Sequence, residues 1–179
     1  MSRRWVDRGL MGFADLMLSV PQILIVVFLQ AIFGKSGYLS LALSIGVTGW
    51  MAMARIIRNE VRRIRETDYV TAARMMGGSF GYILRKHLLP GFLPAVLYAA
   101  VSSIGAAMMT EATLSFMGLG LPVAEVSWGS LLSDSQNALL SGSWWIILIP
   151  GIVLIGTLIA IAALGEQVRK GNTRLHSNL

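Results

Sequence analysis

Residues 68–90 read DYVTAARMMGGSFGYILRKHLLP. The stretch predicts two short helices, the first ended by Gly77-Gly78 and the second stopped at Pro90. Glycine supplies the left-handed conformation that closes a helix, and proline cannot continue one. Thr67 and Ser79 stand where N-caps belong. Arg74, Arg85 and Lys86 make the segment basic. It is the middle of the longest polar interruption in a very apolar chain, and the chain has no soluble domain to cover its amphipathic faces. A helical hairpin so placed predicts a partner outside the membrane, since a helix laid in a partner's groove is a standard recognition mode.

On either side of the hairpin the sequence is a membrane sequence. Of 179 residues, 55% are hydrophobic and 13% charged, and the mean hydropathy is +0.66. A soluble average carries about 25% charged residues, so the excess apolar surface implies bilayer as solvent. About 20 apolar residues cross the hydrocarbon core. The uncharged runs predict an all-α integral membrane protein of about four transmembrane helices, over 16–34, 36–54, 88–110 and 144–165. Pro21 falls in the first turns of the first span, where a missing N–H is tolerated. Lys35 and Gly37 predict a tight turn. Gly46 and Gly49 either thin one side of the second span for close packing or reflect the general frequency of glycine in membrane helices.

The second span should run on past Arg55. Ile57, Val61 and Ile64 recur at helical spacing, with Arg55, Arg58, Arg62 and Arg65 on other faces. Residues 55–87 then form a polar loop and residues 111–143 an external region of short, partly re-entrant helices. Residues 1–15 form an amphipathic lead-in on a membrane surface, and 166–179 a tail. Trp144 and Trp145 suit an interfacial anchor, and Pro150-Gly151 should kink the last span. Three Arg lie in residues 1–15, eight Lys or Arg in 55–87 and three in 166–179, leaving Lys35 alone on the other side. The positive-inside rule therefore puts both termini and the 55–87 loop in the cytoplasm.

Composition excludes several chemistries. The net charge is +6, but no basic run is interleaved with aromatics, so nucleic acid is not a partner. With no cysteine there is neither a disulfide framework nor a thiolate site. Arg3, Arg4 and Arg8 precede an apolar run too long for a cleavable signal peptide. His87 and His176 lack metal-ligand spacing. Gly34-Lys35-Ser36 resembles the end of a P-loop, but Leu29 stands at its first glycine and no strand precedes it. The serines have no histidine near in sequence. No catalytic residue, metal or cofactor is expected. Glu111, at the end of the third apolar run, either lines a gate or path together with Ser115 or sits as an interfacial acid. The Met75-Met76 and Met108-Met109 pairs read as adaptable packing.

The hairpin resembles the EAA loop of ABC importer permeases, whose pattern is E-A-A, three residues, G, nine residues, I-x-L-P. Here Thr71-Ala72-Ala73, Gly77 and Leu89-Pro90 keep every spacing, with Thr71 replacing the Glu and His87 at the Ile. The string from Asp68 to Gly77 is similar to peptide/nickel permeases of the dipeptide and oligopeptide C-subunit type. So are Trp5-Val6-Asp7-Arg8, Trp50 with Ala54-Arg55, the run from Glu111 to Gly120, Ser127-Trp128-Gly129 and Trp144-Trp145. The likeness covers roughly residues 4–170. The family's closing N-x-x-G-D-x-L-R-D keeps only Gly165, Glu166 as the acid and Arg169.

The resemblance implies a type I importer permease in a bacterial or archaeal cytoplasmic membrane. It would pair with a second permease subunit as a heterodimer and with two ABC ATPase subunits, and an extracellular or periplasmic binding protein would deliver the substrate. Peptides, nickel or metal chelates would be the cargo. Thr71, Ala72, Ala73, Arg74, Gly77, Leu89 and Pro90 would form the ATPase-coupling loop, with Thr71 and Arg74 where pairing departs from the pattern. The family usually has two further spans before the point where this chain starts. It therefore resembles the C-terminal two-thirds of a permease: a truncated product, a start mis-called at an internal Met, or a natural short form. The alternative function is a scaffolding or inactive fragment of such a permease.

Overall fold

The computed structural model describes residues 4–34, 37–122 and 124–176, and every regular element among them is helical. In chain order these are α1 (Arg4–Leu18), α2 (Gln22–Phe33), α3 (Tyr38–Arg65), α4 (Asp68–Met75), α5 (Phe80–Ile83), α6 (Leu89–Phe116), α7 (Trp128–Asp134), α8 (Gln136–Leu140) and α9 (Trp145–His176). Among the described residues three helices are long and apolar enough to cross a bilayer: Tyr38–Arg65, the run Phe80–Phe116, and Trp145–Lys170. The pair Trp5–Leu18 and Gln22–Phe33 would make a fourth only if counted together, because it bends by 93°. Arg3, Lys35 and Ser36, which carry part of the charge count and the outer-turn reading, lie outside the described residues.

The expected unbroken span over 16–34 is therefore corrected. Pro21 does not sit inside a helix; it precedes α2 with an extended ψ of 125°. Its ring cannot donate to the carbonyl of Met17, so α1 stops at Leu18 and the chain turns. The 12 residues of α2 reach about 18 Å, short of a hydrocarbon core about 30 Å thick.

α6 is the central helix, packing on α3 and α9 and carrying α7 at its end. Where α2 meets α3 the contact is polar. Gln30, Ser40, Ser44 and Thr48 are buried. Ser40 Oγ donates to Gln30 Oε1 at 2.8 Å, and Gln22 Nε2 to Thr48 Oγ1 at 3.1 Å. Residues 40, 44 and 48 lie one turn apart; Ser40 and Thr48 hold α2 by bonds that lipid cannot replace, while Ser44 Oγ donates to Ser40 O within α3. Among the described residues a Cβ on Gly46 or Gly49 would meet nothing within 4 Å. α3 and α6 approach closely at Gly91, where a Cβ would lie 2.9 Å from Ile64 Cδ1.

α9 runs unbroken through Pro150. Pro150 leaves the carbonyl of Ile146 without its helical donor. Ser135 Oγ, 2.6 Å from Leu131 O, also reaches Ile146 O at 3.3 Å. A buried serine on the α7–α8 segment thus compensates a proline in α9.

Candidate functional site

The hairpin is built between α3 and α6. α3 ends at Arg65, and Thr67 Oγ1 donates back to Ile64 O at 2.5 Å. Asp68 opens α4, where a negative charge suits the positive end of the helix dipole. Gly78 N–H then bonds Ala73 O and Gly77 N–H bonds Arg74 O, both at 3.0 Å. With Gly77 at φ 79° this is the two-bond glycine stop of a helix C-terminus. Ser79 Oγ accepts from Tyr82 N–H at 3.3 Å and caps α5. Leu84–Leu88 is a wide π turn leading into α6. Leu89 alone separates it from Pro90, which cannot donate to the carbonyl one turn back.

The hairpin carries its own core. Ile64, Val70, Ala73, Ile83 and Leu88 are buried together, with Phe92 packed against them. His87 stands between two tyrosine rings, 5.6 Å from Tyr69 and 5.7 Å from Tyr82. Lys86 Nζ lies 5.6 Å from the Tyr82 centroid. The aromatic pair gives His87, at the pattern's Ile position, a packing role.

The structure separates residues that the sequence set side by side. Thr71, Ala72, Arg74 and Gly77 are exposed at the free end. Ala73, next to Ala72, is 5% exposed and belongs to the hairpin's interior. Leu89 and Pro90 are exposed at the start of α6 and lie outside that core, whereas Leu88 lies inside it. The largest exposed apolar side chains of the tip are Met75 at 84%, Met76 at 81% and Phe80 at 65%. Sequence reasoning assigned the methionines to packing. The available signal was that Val70 and Ala73, three apart, already fill the buried face of α4, leaving Met75 and Met76 no interior to enter.

Basic residues surround the tip and the stem beneath it. An open recess of about 740 Å³ is lined by Ser79, Gly81, Tyr82, Arg85 and Lys86. Along the stem, Arg58 grips Asp7 through Nε at 2.9 Å and an NH₂ group at 2.7 Å. Arg62 reaches the same carboxylate at 3.3 Å, and Arg55 pairs with Asp15. The hydrogen bond from Arg58 holds the Asp7 carboxyl below its ordinary range, against a smaller opposing effect of desolvation.

Glu111 and Ser115 sit elsewhere, near the far end of α6. Ser115 Oγ donates to Glu111 Oε1 at 2.7 Å and accepts Leu121 N–H at 3.1 Å. Ser115 is 4% exposed, so its hydroxyl ties the chain beyond α6 back onto the helix. The glycines nearby permit this: a Cβ on Gly120 would fall 2.6 Å from Ser115 N, and one on Gly129 2.7 Å from Ser115 Cβ. Glu111 lies inside α6, which continues to Phe116. Among the described residues no cluster of His, Asp or Glu could hold a metal ion.

A family model described as binding-protein-dependent transport system inner membrane component matches residues 1–170. The dipeptide transport system permease protein DppC of Bacillus subtilis (strain 168) is 33% identical over 164 residues, covering 92% of this chain and 51% of that protein. The oligopeptide transport system permease protein OppC of the same organism is 32% identical over 163 residues, covering 91% and 53%. The chain spans about half the length of the curated relatives it matches. Two inward-facing crystal forms of the MetNI methionine ABC transporter superpose on it. One has a TM-score of 0.72 at 23% identity, covering 93% of this chain and 76% of that one. The other has 0.74 at 22%, covering 96% and 78%. At that identity the superposition speaks for the fold.

Proposed function

The chain belongs to the family of binding-protein-dependent transport system inner membrane components, and from that premise we propose that it is a permease subunit of an ABC importer coupled to its ATPases through the 66–90 hairpin. The observation that carries this reading is the division of labour within the hairpin. Val70, Ala73, Ile83 and Leu88 pack with Ile64 of α3 and Phe92 of α6 into one small core. That core leaves Ala72, Met75, Met76 and Phe80 outside as an apolar tip. A tip of that kind fits a hydrophobic groove, and Arg74, Arg85 and Lys86 around it suit an acidic rim.

The family is one of permease components, so ATP hydrolysis lies in partner subunits. Two ATPases, a second permease subunit and a substrate-binding protein outside the membrane complete the assembly in this reading. The excess of Lys and Arg over 55–87 supports a cytoplasmic hairpin with both termini on the same side. The names of the two Bacillus relatives favour peptides as cargo over nickel or metal chelates. Glu111 and Ser115 act as a brace at the opposite end rather than as lining of the path, since the Ser115 hydroxyl is spent on Glu111 and Leu121.

The test is a bulky substitution at Gly77 in the assembled transporter. The expected result is normal membrane insertion with ATP hydrolysis uncoupled from uptake. Normal substrate-stimulated hydrolysis with normal uptake would refute the assignment of the hairpin.

A further inference from the structure

α1 has two opposed faces. Asp7, Met11 and Ala14 turn toward α3, and Ala14 is wholly buried. Helical spacing places Val6, Phe13 and Leu16 on the other side, and they are 55%, 53% and 62% exposed. Trp5, 79% exposed, joins them, with the Arg8 guanidinium 5.5 Å from its ring. Every acid of α1 is on the α3 side or beside it, where it meets arginine.

Three observations point to lipid on the apolar side. The helix lies at 93° to α2, so it runs close to the bilayer plane if α2 enters the bilayer. Its last acid, Asp15, pairs with Arg55, the first charge after the uncharged run of α3. That places the α1–α2 elbow at the membrane boundary. At its Phe13 edge the apolar face borders a groove of about 480 Å³, walled by Met17, Val20, Leu24 and Phe28 of the α1–α2 elbow on one side and by Trp50 and Met51 of α3 on the other. It thus leads from the boundary into hydrocarbon depth. A charged face toward protein, an apolar face away from it and a tryptophan–arginine pair at the rim is the pattern of an interfacial helix.

We propose that α1 is a lipid-anchored brace. Its Trp5–Leu16 face lies in the headgroup–acyl boundary of one leaflet, while Asp7 and Asp15 hold Arg58, Arg62 and Arg55 at the base of the stem that leads to the hairpin. The ligand class is phospholipid, recognised by apolar burial. Phe13 and Leu16, nearest the elbow, reach deepest. The brace fixes the stem to the membrane surface, so force arriving at the hairpin moves the spans rather than bending α3.

The chain has no cysteine, so single-cysteine spin labelling needs no background removal. Val6→Cys, Phe13→Cys, Leu16→Cys and Arg8→Cys are labelled with nitroxide in phosphatidylcholine–phosphatidylglycerol vesicles, and collisions with oxygen and a water-soluble nickel chelate are compared. Ile159→Cys, on an exposed apolar face of α9, reports correct insertion. Positions 6, 13 and 16 are expected to favour oxygen over chelate several-fold relative to position 8, most strongly at 13 and 16. High chelate access at the three positions would overturn the proposal by placing the face in water. Low access to both reagents would overturn it by placing another protein segment there. The D7N/D15N double variant should keep the oxygen preference while amide exchange over 55–65 accelerates. Unchanged exchange would overturn the bracing role.

Discussion

Replacing Gly77 with alanine isolates the backbone requirement of the hairpin from every packing effect. The residue sits at φ 79°, and a Cβ there would meet nothing within 4 Å. The cost is therefore conformational, about 1–2 kcal/mol for forcing an L-residue into the left-handed region. Local opening of the α4 terminus should rise about 5- to 30-fold. The amides that report it are Gly78 N–H on Ala73 O and the residue-77 N–H on Arg74 O. Hydrogen exchange of the reconstituted protein should speed up there and over 79–83, while the buried stretches of α6 and α9 keep their protection. Gly46→Ala is the matched control, since Gly46 is equally uncrowded and lies within α3, where alanine is the better helix former. Equal exchange at residues 77 and 78 in the wild type and in G77A would refute the reasoning, because nothing else in the structure could absorb the cost.

At the tip, Met75→Glu with Met76→Glu should change folding stability by less than about 0.5 kcal/mol, because both side chains are more than four-fifths exposed. Co-purification of the ATPase subunits should nevertheless be lost, which pull-down from membranes measures. Gly129→Ala should loosen α7 from α6, because its Cβ would press on Ser115 Cβ and the backbone of Ala112. A loss of about 1–3 kcal/mol is expected for such overpacking, read as a lower unfolding temperature. For Asp7 the folded pKa lies below the ordinary 3.8. The Asp7–Arg58 contact therefore contributes fully above that value and is lost only as the pH falls through the lower folded value. Protection factors over 55–65, taken against the intrinsic exchange rate at each pH, should be constant between about pH 5 and 8 on that account, and Asp7→Asn should remove the acid-side change.

The long apolar runs made the helices legible, because a bilayer leaves an uncharged stretch few alternatives to helix. Hairpin ends were partly legible: Gly77 and Ser79 carry local chemistry that acts within three or four residues, whereas Thr67 holds the N-cap position but turns its hydroxyl back to Ile64 O instead of capping α4. The elbow at residues 19–21 was not, since hydropathy records depth and says nothing of direction. Pro21 fits the first turn of a helix and the turn before one equally well. Nor could sequence distinguish Ala72 from Ala73. Their difference depends on which side of α4 meets Ile64, Ile83 and Leu88, and those residues come from three other elements. Glu111 and Ser115 are four apart, so their contact was foreseeable from helical spacing. The return of the chain to Ser115 through Leu121 is tertiary and was not.

The central claim, that the free end of the 66–90 hairpin seats in the transporter's ATPase, is tested most directly by crosslinking from the naturally cysteine-free chain. Ala72→Cys, exposed at the tip, is compared in membranes with Ala73→Cys, buried inside the hairpin, and with Leu131→Cys on α7. A short bifunctional reagent should join the ATPase to position 72 and not to 73 or 131. An assembled transporter in which the ATPase co-purifies but crosslinks to position 131, or to none of the three, would contradict it.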